Sequence, residues 1–393
     1  MEKGSVLISG ASIAGPALAY WLHRYGYKVT VVERAPTLLD GGYAVDFRGA
    51  AHIDVLTQMG ILAEVRRQQT HMGAMDYVDR SGKRMSSMPA EIMSGEVEIL
   101  RGDLSRILYD ATKDDVEYIF GDSITAMTEG EDGIQVTFTH CPVRTFSLVI
   151  GADGLHSNVR SLIFGDEAEF IHNLGYYVAI FTTKNHLNLD HTGRFYSVPG
   201  KTAGVYSARD NTEAKALFVF AAESLNNDRR DTMQQKVILA NAFAGQGWEI
   251  PTLLNAMWDA PDFYFDSISQ VQMERWSKGR VALLGDAGYG ATMGGMGTGL
   301  AVVGAYVLAG ELAAAGDDYR VAFARYERQL RAYATGCQKF GAGVGPSLAP
   351  RSWRQIWSRN QIFRILPYLP WKNVINTMTT KVASDIVLQR YAN

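Results

Sequence analysis

Three short stretches of this chain set glycine beside a hydroxyl or carboxylate at the end of an apolar run. Each arrangement suits the handling of phosphates or sugar hydroxyls. The first is Gly10-Ala11-Ser12-Ile13-Ala14-Gly15, which follows the apolar residues 5–9 and opens a helical segment at 16–25. Strand, glycine turn and helix together are the layout of a dinucleotide fingerprint, G-x-G-x-x-G. The first glycine makes the turn, the middle position admits a pyrophosphate, and the last brings helix and strand close. Amides at the helix start then meet the phosphates, helped by the helix dipole. Ser12 stands at the middle position, where its small side chain fits and its hydroxyl can donate to a phosphate. Glu33 ends the next strand 23 residues after Gly10, near the spacing of about 20 for an acid that binds an adenosine ribose. Its charge repels a 2′-phosphate, so the nucleotide reads as FAD or NAD rather than NADP. A purely structural strand-to-helix turn is the competing reading.

Gly10 to Ala14 also lies one residue from G-x-S-x-G, the nucleophile elbow of hydrolases. The last position is Ala14, however, and little sheet precedes it. The second stretch is Gly151-Ala152-Asp153-Gly154 with Arg160 beyond it. Asp153 at a strand end can accept from a ribose or ribityl hydroxyl, although an ordinary Asp-Gly turn gives the same letters. The third is Gly285-Asp286 after the apolar 280–284, followed by glycines at 288, 290, 294, 295, 297 and 299. Asp286 can accept from ribityl hydroxyls. Amides at Gly295, Met296, Gly297 and Thr298 can stabilise charge on a reduced flavin.

The elements that must position these groups follow from the apolar patterning. Residues 5–9 and 28–33 read as buried strands around the helix 16–25. Residues 41–48 read as a strand returning to this unit, 50–69 as mostly helical, and 75–85 as a hairpin. A helix is expected at 103–113, then strands at 116–120, 134–139 and 145–150, and a short helix at 157–164. The middle becomes rich in aromatic and β-branched residues, with strands at 174–183, 194–198, 203–208, 215–221 and 263–273 and a helix at 228–243. Residues 280–284 return to the opening style. Helices are expected at 297–315 and 319–339, and more helix between 352 and 391, interrupted by Pro367 and Pro370.

Composition narrows the class. With 47% hydrophobic and 20% charged residues the chain suits a globular protein with a large core. Its formal charge of −3 gives no basis for nucleic-acid binding. Two cysteines, Cys141 and Cys337, make neither a zinc site nor a disulfide framework, so a reducing, cytoplasmic setting is expected. No metal is expected: His186 and His191 sit in a polar segment that reads as surface loop. The apolar run 299–316 is broken by Glu311 and reads as a buried helix rather than an integral membrane segment. The basic, aromatic segment 351–364 reads as a lid over the active site, with membrane or partner contact as the weaker alternative.

The order and spacing of the three stretches resemble the class A FAD-dependent aromatic hydroxylase and monooxygenase family of the para-hydroxybenzoate hydroxylase fold. Within it the likeness is nearest to the tetracycline destructases, over about 6–333. Residues 42–49 (GYAVDFRG), 97–104 (VEILRGDL), 262–266 (DFYFD) and 276–280 (WSKGR) support it. The resemblance implies an α/β fold with an α+β second domain: a Rossmann-like FAD-binding domain, a mixed-sheet substrate domain and a C-terminal helical extension. The FAD domain would be 1–73, 96–170 and 266–340, the substrate domain 74–95 and 171–265, and the extension 341–393, bridging the site. It further implies FAD contacts from Glu33, Arg34, Asp46, Arg48, Arg101, Asp153 and Asp286 besides the glycine loops. The family's Ala-His after this Asp reads Gly288-Tyr289 here, and the proline that follows it is missing.

The implied function is an NAD(P)H-consuming monooxygenase. It would hydroxylate a polycyclic aromatic or enolic molecule with O2 through a C4a-hydroperoxyflavin, most readily a tetracycline-type antibiotic. NADPH or NADH would bind transiently, and no protein residue would be catalytic in its own right. A hydroxylase of aromatic polyketides and a non-oxygenating flavin reductase or dehydrogenase are the alternatives. The substrate wall is sought among Tyr177, Phe181, Phe195, Tyr206, Phe218 and Phe220, although aromatics alternating on a strand are more often core than pocket. A monomer is the default.

Overall fold

The computed structural model describes residues 3–38, 42–90, 95–225, 228–293, 296–316, 318–368 and 382–391. The Lys3–Ser9 strand lies inside a six-stranded sheet, between parallel neighbours Leu148–Gly151 and Tyr27–Glu33. Val281–Leu283 and Glu117–Phe120 extend it on either side, again parallel, and Ser277–Lys278 adds an antiparallel edge. Val6, Leu7 and Ile8 are fully buried, as in a parallel sheet covered on both faces.

Helices Ala14–Arg24 and Gly297–Ala314 cover one face, meeting through Trp21 against Tyr306, and Tyr319–Gly341 packs outside them. Gly297–Ala314 is apolar all round because it is enclosed on all sides. The other face meets a three-stranded sheet of Arg144–Phe146, Ile134–Phe138 and Ile124–Glu129. The expected strand 145–150 is therefore two strands in two sheets, with Ser147 at the break bonded to Ser5. The expected strand at 41–48 does not return to the first unit. Ala44–Phe47 pairs antiparallel with Val97–Leu100 in a separate ribbon. The helical stretch after it divides at Gly60, whose φ of 73° suits glycine, into Gly49–Gln58 and Leu62–Arg67.

The second sheet has seven strands, in the order Tyr264–Val271, Ile171–Thr183, Glu213–Ala221, Lys201–Ala208, Gly193–Val198, Met75–Val78 and Arg84–Met88. All pairings are antiparallel except Gly193–Val198 with Met75–Val78. The expected boundary between 265 and 266 falls inside the edge strand Tyr264–Val271. One face is covered by helices Thr232–Ala242 and Ile250–Trp258, the second of which was not foreseen. The other looks toward the nucleotide-type domain and carries Tyr43, Tyr264 and Met293 in the same apolar cluster. Helix Trp353–Ile365 lies against the edge strand Arg84–Met88. Of the helices expected beyond it, residues 369–381 lie outside the described residues, and 382–391 is almost entirely non-helical.

Candidate cofactor and substrate site

The three glycine stretches meet at the carboxyl ends of the central strands. Gly10 has φ 109°, and a Cβ there would lie 2.5 Å from the Ala152 carbonyl oxygen. A Cβ at Gly15 would overlap the carbonyl oxygen of Gly10, so the turn closes only with glycine at both ends. The Ala152 amide donates to Ser9 O at 2.8 Å and that of Leu284 to Gly151 O at 2.8 Å. Gly285, at φ 65°, sits against Ala14 and Ala301, which joins the first stretch to the third. Arg160 joins the second to the third: fully buried, it donates to Ala287 O at 2.8 Å and Leu155 O at 2.6 Å.

The Glu33 carboxylate accepts from the amides of Ala11 and Ala35, both at 2.8 Å. Two of its roughly four acceptor positions remain for sugar hydroxyls. Arg34 is exposed beside it. Helix Ala14–Arg24 starts at Ile13 with no side-chain cap and no acid in its first turn, as does Gly297–Ala314 at Met296. Such helix starts receive anions. The Ser12 hydroxyl accepts from Arg101 Nη2 at 3.0 Å, and the Ser12 carbonyl from Ser105 Oγ at 3.0 Å. Ser12 is thus held by a cation rather than by a base, which removes the hydrolase reading.

Arg101 extends past Gly42, whose Cβ would lie 3.3 Å from the Arg101 Cβ, toward the half-buried Asp286. Burial raises the carboxyl of Asp286, and Arg101 works against that rise. Gly297 lies close by: a Cβ there would be 3.7 Å from Asp286 Oδ1. Met296 is buried and Thr298 half-buried, while Gly295 lies outside the described residues. Two residues that the sequence did not single out complete this corner. Tyr43 and Tyr264, their rings 6.4 Å apart, both have hydroxyls raised by burial and both sense Arg101, Asp266 and Asp286. They lie in the stretches 42–49 and 262–266, so the signal was present without pointing to a residue.

Asp46 and Arg48 form a buried ion pair. Burial raises the Asp46 carboxyl and the Arg48 guanidinium opposes it. The Arg48 amide donates to His52 Nδ1 at 3.1 Å, and His52 Nε2 meets Tyr333 Oη at 2.5 Å. A Cβ at Gly299 would enter the His52 ring. Burial, with a smaller push from Arg48, lowers His52 to about 3, so its ring is neutral at working pH.

Asp153 stands apart from the expectation. Its carboxylate is taken up by the Ser157 hydroxyl at 2.5 Å, the Val159 amide at 3.1 Å and Ser9 Oγ at 3.4 Å. These donors take up much of its accepting capacity and fasten the turn to the start of helix Asn158–Ile163.

The expected wall divides by strand alternation. Phe195 and Tyr206 lie on the face shared with Tyr43, Tyr264 and Met293. Tyr177, Phe181, Phe218 and Phe220 lie on the opposite face, packed with Phe243 and the helices Thr232–Ala242 and Ile250–Trp258. These four are core. Their neighbours Val178, Ile180, Leu217 and Val219 share the face of Phe195 and Tyr206, because successive side chains point to opposite faces.

The chain belongs to the family described as FAD binding domain, whose model matches residues 3–340. It is a flavin-dependent monooxygenase, as its relatives at about 40% identity are. It is 49% identical, over 88% of its length and 95% of theirs, to a protein of Mycobacterium tuberculosis known as uncharacterized. It is 40% identical, over 87% of its length and 89% of theirs, to the flavin-dependent monooxygenase of Legionella longbeachae. Among solved structures, the tetracycline destructase Tet(51) superposes with a TM-score of 0.85 at 38% identity, covering 98% of this chain and 99% of that one.

Proposed function

We propose that this monooxygenase oxygenates a flat, polycyclic phenol or enol of the tetracycline type, with NADPH or NADH as the transient reductant. The observation that carries the reading is a polar corner facing an apolar wall. Arg101, Asp286 and Tyr43 meet Tyr264 at the edge of the sheet face that carries Val178, Ile180, Phe195, Tyr206, Leu217 and Val219. A wall of this kind suits a broad apolar ring system, and the corner suits its oxygen substituents. Full-length likeness to Tet(51) supports the tetracycline end of the proposal.

The residues fit FAD. The Gly10–Gly15 loop and the start of Ala14–Arg24 would hold the pyrophosphate, Glu33 the adenosine ribose, and Arg34 the adenine end. Arg101 and Asp286, with Met296, Gly297 and Thr298, would hold the ribityl and flavin part, and the Asp46–Arg48 pair would flank the ring. FAD, when bound, supplies electron transfer from the nicotinamide and delivery of one oxygen atom from O2 to carbon. The chain binds, orients and keeps water out, because an open site releases reduced oxygen without product. Asp153 and Arg160 act as positioning residues, holding the turns at Gly154 and Ala287. The test is oxidation of NADPH and NADH by the flavin-loaded protein. Strong stimulation by tetracycline is expected. Stimulation by simple phenols alone would overturn the substrate, and failure to take up FAD would overturn the site.

A further inference from the structure

Helix Trp353–Ile365 carries apolar side chains on its outward side as well as its inward one. Its inward stripe is Ile356, Arg359, Phe363 and Leu366, spaced by three, four and three residues. Arg359 is 8% exposed, lies over the Tyr77 ring at 3.8 Å and donates to Ser347 O, Leu348 O and Ser197 Oγ. The outward side holds Trp353 at 62%, Trp357 at 65%, Ile362 at 56%, Ile365 at 52% and Tyr368 at 86% exposure. Among the described residues, five of the thirteen exposed large hydrophobics thus fall within sixteen positions, and a sixth, Met85, is on the edge strand the helix packs against. Scattered exposed apolar residues are ordinary, but a contiguous set marks a contact surface.

Charge says what the surface meets. From 351 to 364 the segment has four Arg and no Asp or Glu, and Arg351, Arg354 and Arg364 are exposed, in a chain whose formal charge is −3. Arg354 and Arg364 are exposed on the same helix, and Lys83 and Arg84 on the neighbouring hairpin. Tryptophan and tyrosine favour the bilayer interface, and cations at the rim favour anionic headgroups. A helix with this face lies in the plane of a membrane surface with its apolar side sunk in the headgroup layer. A second copy of the chain would bring like charges together at such a contact.

We propose that the outward face of helix Trp353–Ile365 docks the folded enzyme on the surface of an anionic lipid bilayer. The inference is independent of which substrate is oxygenated. The experiment is co-sedimentation of the flavin-loaded protein with vesicles of phosphatidylcholine alone or with phosphatidylglycerol added. Wild type is expected to sediment with the anionic vesicles, with tryptophan emission shifted to the blue, and to be released by salt. The double variants Trp353→Ser/Trp357→Ser and Arg354→Glu/Arg364→Glu should each bind at least tenfold more weakly, with unchanged Tm and flavin content. Failure of wild type to bind the anionic vesicles, or binding by either variant as tight as wild type, would overturn the proposal. So would a wild-type dimer that Trp353→Ser/Trp357→Ser dissociates, because a second copy would then cover the face. Iodide quenching of lipid-free wild type no greater than that of the tryptophan variant would also overturn it, because the chain itself would then cover the face.

Discussion

Replacing Glu33 with alanine separates its structural work from its proposed role at the nucleotide. Its carboxylate accepts from the amides of Ala11 and Ala35 at 2.8 Å each. Ala11 is 2% exposed, so its amide loses a partner that water replaces poorly. An unsatisfied buried donor costs about 1–3 kcal/mol. Ala35 is half-exposed, and water takes over there at small cost. The flavin-free protein should therefore lose about 2 kcal/mol, a Tm decrease of a few degrees at roughly 2–4 °C per kcal/mol or less for a chain of this size. Nucleotide affinity falls further, because hydrogen bonds from ribose hydroxyls to a charged acceptor are worth about 1.5–3 kcal/mol. That corresponds to about 10–100-fold in Kd for FAD. Glu33→Gln retains one carbonyl acceptor but turns an amide toward a backbone N–H, so its Tm should fall between the two. The assay is thermal unfolding of deflavinated protein together with equilibrium titration by flavin fluorescence. An unchanged Tm with unchanged Kd in Glu33→Ala would refute both parts. A changed Tm with unchanged Kd would refute the ribose contact alone.

Ser12→Ala removes the acceptor of Arg101 Nη2 and should weaken FAD binding several-fold in the same titration, with no loss of any ester cleavage. Gly299→Ala drives a methyl group into the buried His52 ring and should cost about 1–3 kcal/mol by overpacking, read as a lower Tm. Phe218→Ala, in the core behind the sheet, should cost about 3–5 kcal/mol and leave the substrate KM of the folded enzyme unchanged. Leu217→Phe, on the wall, should raise that KM instead. His52 gives the fold an acid-sensitive element. Its folded value of about 3 lies below the ordinary 6.5, so the unfolded chain binds the extra proton between those values. Stability should fall as pH is lowered from about 6.5 toward 3, and His52→Gln should flatten that part of the Tm-against-pH curve.

The turns of the nucleotide-type domain were legible because they rest on glycine, whose backbone demands are local. Gly10, Gly15 and Gly285 each stand where a Cβ has no room or φ is positive. The wall was not legible in the same way. Alternation divides Tyr177 and Phe220 from Val178 and Val219, but which set faces the cofactor domain depends on the covering helices, and Ile250–Trp258 was not foreseen. The run 145–150 gave no sign of its break, because residues on both sides of Ser147 are strand formers and only pairing partners separate them. Asp153 shows the limit of motif reading: its letters suit a sugar contact, and the Ser157 and Val159 that occupy it lie further along the chain. Arg359 shows another: nothing in the basic, aromatic segment 351–364 distinguishes it from the neighbouring arginines, and the fold buries it against Tyr77.

The most direct test of the central proposal is product mass after turnover with tetracycline and NADPH under isotopically labelled oxygen gas. The account predicts a product heavier by one oxygen atom, carrying the label, formed in step with NADPH consumption. NADPH consumption with unmodified tetracycline and only hydrogen peroxide, or a product whose new oxygen comes from water, would contradict it.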